Sequence, residues 1–298
     1  MTKPMQSARM ISPPERLYRG AVTDPDRWKH YRPRAGDVIV CTPSKAGTTW
    51  TQSIVAMLLM GTTRLPDRLT RISPWVDASF SPEEDIFPPF EAQTHRRVLK
   101  THTPADGFPV YEGVRLISVC RHPLDVLLSY RKHIANRATI EDHPMKAPLA
   151  ESLAHFLAAE FDPDEVDDDC LGIIVAHTRA ARSDRWPDAV HLHYSNMKHD
   201  LEGAVRQLNS QLGTGHGDAF VAEVADATEF GAMKSNPGVF IPEGGKGLWK
   251  DEAAFFASGK SGGWRDAFSD DQIAAFEARL ADLEPDPAIR SWIVDGRT

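Results

Sequence analysis

The stretch Asp37-Val38-Ile39-Val40-Cys41-Thr42-Pro43-Ser44-Lys45-Ala46-Gly47-Thr48-Thr49-Trp50 sets the reading of the whole chain. Its first five residues form an apolar run bounded by Gly36 and Pro43, the pattern of a strand buried on both faces. Ser44 to Thr49 follows as a tight polar loop. From Trp50 onward Ile54, Val55, Leu58 and Leu59 recur at helical spacing, with Thr48 or Thr49 placed to cap the helix start. The order is therefore strand, loop, helix.

Working outward, Arg97 to Thr101, Arg115 to Cys120 and Val190 to Tyr194 read as three more buried strands. Helical spacing predicts helices over Pro123 to His133, Leu149 to Glu160, Leu171 to Arg182, Lys198 to Leu212, Asp218 to Ala225 and Asp270 to Leu283. Strands alternating with helices imply one α/β domain, a central parallel β-sheet flanked by helices, over residues 37–298 behind an N-terminal arm of residues 1–36. The proline-rich stretch Gly61 to Glu91 predicts irregular structure that frames a pocket, and the acidic run Asp162 to Asp169 a solvated loop.

Composition narrows the function. A formal net charge of -8 over 298 residues argues against a general nucleic-acid or anionic-membrane binder, since such partners reward a basic face. Met1 to Arg19 mixes charges and prolines where an export signal needs an apolar stretch. Ile54 to Met60, the longest apolar run, is too short for an integral membrane segment. Cys41, Cys120 and Cys170 show no C-x-x-C spacing, so neither a disulfide framework nor a zinc site is indicated, and a reducing cytoplasm is the expected location. His191 and His193 share a strand face without a nearby carboxylate or cysteine pattern and read as structural rather than metal-binding.

In an open parallel sheet, ligands collect beyond the carboxyl ends of the strands. The residues there are Ser44, Lys45, Ala46, Gly47, Thr48 and Thr49 after the first strand, then Lys100, Thr101 and His102, then Arg121, then Tyr194. Three cations and several hydroxyls on one edge of an acidic protein suggest a local anion pocket. The first loop offers backbone N–H groups at a helix N-terminus and a full charge on Lys45, a phosphate cradle. It is not a Walker A loop, because its lysine precedes its glycine.

Thr42 to Trp50 closely resembles the donor-binding loop of the cytosolic-type sulfotransferase family. Lys100-Thr101-His102 resembles that family's catalytic segment, and Arg121-His122-Pro123-Leu124-Asp125 through Ser129 its 3′-phosphate segment. Tyr194-Ser195-Asn196-Met197-Lys198, Thr228-Glu229-Phe230 and Met233 to Pro237 match further stretches in the family's order. Ser73-Pro74-Trp75 and His95-Arg96-Arg97 look most like a bacterial branch that includes glycolipid sulfotransferases. The resemblance implies a donor, 3′-phosphoadenosine 5′-phosphosulfate (PAPS), giving PAP as product, a small hydroxyl-bearing acceptor, and no metal. It implies that Lys45, Thr48 and Thr49 hold the phosphosulfate, that Trp50 and Phe230 sandwich the adenine, and that Arg121 and Ser129 take the 3′-phosphate. Tyr194 and Thr228 join the donor site on the same basis. In-line sulfuryl transfer asks for a base at the acceptor hydroxyl and charge on the leaving side, tasks that suit His102 on one hand and Lys45 and Lys100 on the other.

One stretch departs from the pattern. Where the family carries an Arg-Lys-Gly closure over the 3′-phosphate, this chain has Phe255-Phe256-Ala257-Ser258-Gly259-Lys260. Phe256, Ser258 and Gly259 are then the donor-site residues of that stretch, with Lys260 as a substitute cation. The short dimer motif of animal members is not recognisable after Trp264, which leaves the oligomeric state unassigned. Trp75, Phe80, Phe87 and Phe90 are candidates for an apolar acceptor pocket. Two rival functions share the cradle: a small-molecule kinase requiring magnesium, and a nucleotide-binding protein without turnover.

Overall fold

The computed structural model describes residues 6–167, 170–242, 247–256 and 259–297. Among the described residues six strands form: β1 (Met10–Ser12), β2 (Val38–Cys41), β3 (Val98–Thr101), β4 (Val110–Tyr111), β5 (Arg115–Cys120) and β6 (Val190–His193). Four of them make a parallel sheet in the order β3-β2-β5-β6. After β2 the chain adds β3 on one side and then β5 on the other, so the order reverses at β2, where such sheets hold ligands.

Register fixes what meets there. Cys41 pairs with Thr101 on one side and Ser118 on the other, and Cys120 pairs with His193. The residues that follow these strand ends therefore share one rim. At the opposite end, the buried Asp37 carboxylate accepts from Tyr31 Oη (2.8 Å), from the Arg34 backbone N–H (2.9 Å) and from Arg97 Nε (2.9 Å). This buried ion pair ties the starts of β2 and β3, and removing either partner would leave an uncompensated charge in the core. The strand begins one residue later than its apolar pattern suggests because Asp37 serves as that anchor.

Side-chain alternation divides the core. Val38 and Val40 face a layer containing the helices Thr48–Met60, Leu201–Gln211 and Asp218–Ala227. Ile39 and Cys41 face the other way, onto Trp28, Tyr31, Phe87, Phe90 and Phe108. A third cluster packs Leu124, Leu127, Phe156 and Ile174 against Phe276 and Trp292 of the last two helices, Asp270–Leu283 and Pro287–Asp295.

Several expectations change. The stretch Gly61 to Glu91 contains two helices, Leu69–Ile72 and Glu83–Glu91. The second survives Pro88 and Pro89 because both fall near its end, while Glu83, Glu84 and Asp85 favour its positive N-terminal pole and Ile86, Phe87 and Phe90 bury one face. The span Lys198 to Leu212 is two helices, Tyr194–His199 and Leu201–Gln211, broken at Asp200, whose carboxylate caps the second at Gly203 N (2.8 Å). Tyr194 thereby leaves the strand and starts a helix. In the acidic run, Asp167 accepts from Val22 N and Thr23 Oγ1, both at 2.8 Å, and so ties the arm to the body. Strand β1 of the arm also pairs antiparallel with β4.

Candidate active site

The loop after β2 builds its cradle from backbone. Lys45 and Gly47 both have positive φ (65° and 108°), and together they turn the chain so that the helix Thr48–Met60 points its N-terminus at the sheet rim. Neither threonine caps it. Gly47 is the N-cap residue, without a side-chain cap, and the Thr48 hydroxyl lies 2.6 Å from that of Thr42 instead. The first N–H groups of the helix thus keep their capacity for an anion. A side chain at 47 would meet the Tyr194 ring at 3.0 Å, so glycine is needed for space as well as for φ. Ala46 is buried beneath the loop, and Ser44 and Thr49 are half-buried on it.

Lys45, half-buried, sends its ammonium to His133 Nδ1 at 3.1 Å and lies 5.3 Å from the centre of the Phe255 ring. Desolvation, with smaller contributions from Arg121 and Lys100, pushes its pKa down to about 7. Lys100 Nζ sits 3.2 Å from His102 Nε2 and 4.3 Å above the Trp75 ring, and desolvation lowers it to about 8.

His102 is oriented from both sides. Its Nδ1 lies 2.8 Å from the Thr42 carbonyl, an acceptor, so Nδ1 carries the proton and Nε2 keeps a lone pair toward Lys100. Burial, and then the Lys100 charge, hold its pKa well below the usual imidazole value. The backbone carbonyl of His102 accepts from His177 Nε2 at 2.8 Å, and the Trp75 ring stands edge-on to the imidazole at 4.8 Å. His177 was not singled out in the sequence; its place on the helix Leu171–Ala181, with no motif around it, gives no local signal.

Arg121, buried at the end of β5, donates Nη1 to the Lys45 carbonyl (2.9 Å) and Nη2 to the Lys260 carbonyl (3.0 Å), and its guanidinium lies over the Tyr194 ring at 4.3 Å. Its Nε is buried without a hydrogen-bond partner. Trp50 meets Tyr194 edge-on at 5.4 Å, and its indole N–H is likewise buried and unpaired. Phe230 packs edge-on to Phe256 at 6.1 Å and against Gly259, where any side chain would collide with its ring at 2.4 Å. Thr228 is the outlier, fully buried with its hydroxyl committed to the Val224 carbonyl at 2.8 Å. Ser129 is half-buried on the helix Pro123–Asn136, one turn before His133. Ser258 lies outside the described residues.

Next to His102 opens a cleft with about 490 Å³ of empty space, its open mouth included. Pro43, Ser44 and His102 line it together with Val126, Leu127, Tyr130, Met145, Phe156, Val166, Cys170, Ile173 and Ile174, and Asp167 adds one carboxylate to this mainly apolar wall. Of the aromatic residues expected at an acceptor pocket, Trp75 stands against His102 with the exposed Phe80 on its ring, whereas Phe87 and Phe90 are buried in the second core cluster. Among the described residues, no group of three or more His, Cys, Asp or Glu is placed to hold a metal ion, and no helix is long and apolar enough to cross a membrane.

A backbone anion cradle at a topological switch point, two desolvated lysines and a neutral histidine facing an apolar cleft define a group-transfer enzyme that handles an anionic donor. A family model described as the sulfotransferase domain matches residues 35–283, and the chain belongs to the sulfotransferase family. A glycolipid sulfotransferase from Mycobacterium bovis (strain BCG / Pasteur 1173P2) is 30% identical over 312 residues that cover 94% of each chain. Among solved structures, retinol dehydratase in complex with androsterone and inactive cofactor PAP aligns with a TM-score of 0.70 at 19% identity, over 87% of this chain and 83% of that one. Mouse sulfotransferase SULT7A1 complexed with PAP aligns at 0.69 and 18% identity, over 90% and 93%.

Proposed function

We propose that this sulfotransferase moves a sulfuryl group from PAPS to the hydroxyl of a small, largely apolar acceptor, with His102 as the base. The observation that carries this reading is the fixed tautomer of His102, which leaves Nε2 unprotonated beside Lys100 in a ring that lines the cleft.

The residues fit the donor. Uncapped N–H groups at the start of the helix Thr48–Met60, the ammonium of Lys45 and the unpaired Nε of Arg121 are donors awaiting anionic oxygens. The donor supplies an activated sulfuryl group and an anionic leaving phosphate. His102 Nε2 takes the proton from the acceptor hydroxyl as the new oxygen–sulfur bond forms and the sulfur–phosphate oxygen bond breaks. Lys100, next to that nitrogen, faces charge on the sulfuryl oxygens, and Lys45 faces the departing phosphate. Arg121 and Ser129 are assigned to the 3′-phosphate, and Trp50 and Phe230 to the adenine. A cytoplasmic location is part of this reading, with Cys41, Cys120 and Cys170 all buried as thiols.

Incubation with labelled PAPS and a panel of phenols, alcohols, steroids and glycolipids, with and without chelator, tests the assignment. Acceptor-dependent release of PAP that survives chelation is the expected result. Turnover of ATP dependent on magnesium, or no transfer to any acceptor in the panel, would overturn it.

A further inference from the structure

Lys45 and His133 are 88 positions apart in the chain, yet Lys45 Nζ lies 3.1 Å from His133 Nδ1. An ammonium has three donors and no lone pair, so at this contact Nδ1 must be bare and the ring proton must sit on Nε2. The ring is held in place for the task. It stacks on Tyr130 (5.9 Å, 25°) and meets Trp249 edge-on (5.0 Å, 74°), while Phe255 presents its face to the same ammonium.

The surroundings explain why an acceptor is needed. Lys100 and His102 face the pair from the end of β3, Arg121 from the end of β5, and Arg137 from the C-cap of the helix that carries His133. Among the described residues no carboxylate forms an ion pair with Lys45. Even with the His133 lone pair in place the pKa of Lys45 is down to about 7, so removing that acceptor would let the proton leave at still lower pH. A carboxylate in that position would favour the charged form more strongly but would also cancel the charge a donor anion must meet. A neutral imidazole avoids this, and burial followed by the Lys45 charge keeps His133 neutral.

We propose that His133 is a positioning residue for Lys45, its bare Nδ1 holding the ammonium charged and aimed until the oxygens of the donor replace it. This rests on the reading of Lys45 as a donor-binding cation. The decisive variants are His133→Phe, which keeps a ring and removes the acceptor, and His133→Asn, whose Oδ1 can stand near the lost Nδ1. In His133→Phe, kcat/KM for PAPS at pH 8 should fall about tenfold, the worth of one charged hydrogen bond. The alkaline limb of its pH profile should move to lower pH, with the KM of the acceptor unchanged. His133→Asn should recover most of both effects. An unshifted pH profile in His133→Phe, or an Asn variant as impaired as the Phe variant at equal thermal stability, overturns the proposal. Nitrogen NMR of the unaltered protein gives a second reading that needs no variant and no turnover. An unprotonated Nδ1 at His133 from pH 6 to 9 is expected, and a protonated Nδ1 overturns the assignment. If the unaltered protein transfers no sulfuryl group, the functional reading fails separately, since the NMR measurement still reports on the contact.

Discussion

The cradle after β2 and the cleft beside it meet at His102, but different forces hold them. On the cradle side directional polar contacts do the placing: the Thr42 carbonyl orients His102, the Lys45 carbonyl holds Arg121, two imidazoles meet the lysines, and the first helical N–H groups are uncapped. On the cleft side Val126, Leu127, Met145, Phe156 and Ile174 are held by close packing, contributed from three helices and the turn at Met145. Directional bonds tolerate little displacement, whereas an apolar wall accepts any residue of suitable volume. Changes in the cradle should therefore alter rate by decades, and changes in the cleft should alter which acceptor is preferred.

The largest expected effects test the cradle. His102→Ala should fold and retain donor affinity while kcat drops by about 10²- to 10⁴-fold, and Lys45→Ala should lose about 10²-fold or more in kcat. Near-normal turnover at saturating substrate in either variant would remove that residue from the chemistry. One step down, Arg121→Ala should erase about one to two decades of preference for PAPS over the analogue lacking the 3′-phosphate. Titration calorimetry with both nucleotides measures it. If Lys260→Ala abolishes the preference and Arg121→Ala does not, the 3′-phosphate belongs to Lys260.

On the cleft side, Ile173→Trp fills apolar space without touching the cradle. It should raise the KM of a bulky acceptor about tenfold, as overpacking by a kcal/mol or more does, and leave PAP affinity unchanged. An equal loss of PAP affinity would show that the two halves are not separable.

The smallest effect concerns His177, which holds the backbone carbonyl of His102. His177 is fully buried, and desolvation pushes its pKa down to about 4, opposed by its bond to the His102 carbonyl. Its folded value lies below its unfolded one, so its contribution to stability is present above about pH 6.5 and is lost as pH falls toward 4. Urea midpoints between pH 7 and pH 4.5 should fall, and His177→Gln should flatten that slope even if it lowers the plateau. A slope unchanged in His177→Gln would assign the acid sensitivity to other buried histidines.

The same contrast explains what could be read from the sequence. The cradle occupies consecutive residues, 42 to 50, because a strand, a turn and a helix N-terminus are local objects with local signals; so do Lys100 to His102 and Arg121 to Ser129. The cleft has no such signature, since an inward Leu127 or Ile174 looks like any core residue until helices are packed. Phe87 and Phe90 drew attention as aromatics among prolines, yet the helix Glu83–Glu91 turns them into the core. His133 lies one helical turn beyond Ser129, a spacing that could have been noticed. The Thr228 hydroxyl could not be seen to be spent on its own helix, because that bond depends on the rotamer rather than on the sequence.

Lys45 gives the cradle a thermodynamic peculiarity. Among the described residues it is the only one other than glycine with positive φ, a conformation that costs an ordinary side chain about 1–2 kcal/mol and glycine almost nothing. The backbone at this point would be more comfortable with glycine, so on the proposed role of Lys45 as a donor-binding cation the strain is carried for one ammonium group. Selection for heat resistance alone would therefore favour glycine here and discard the charge in doing so, making residue 45 a place where breeding a sturdier protein and keeping a working one pull in opposite directions.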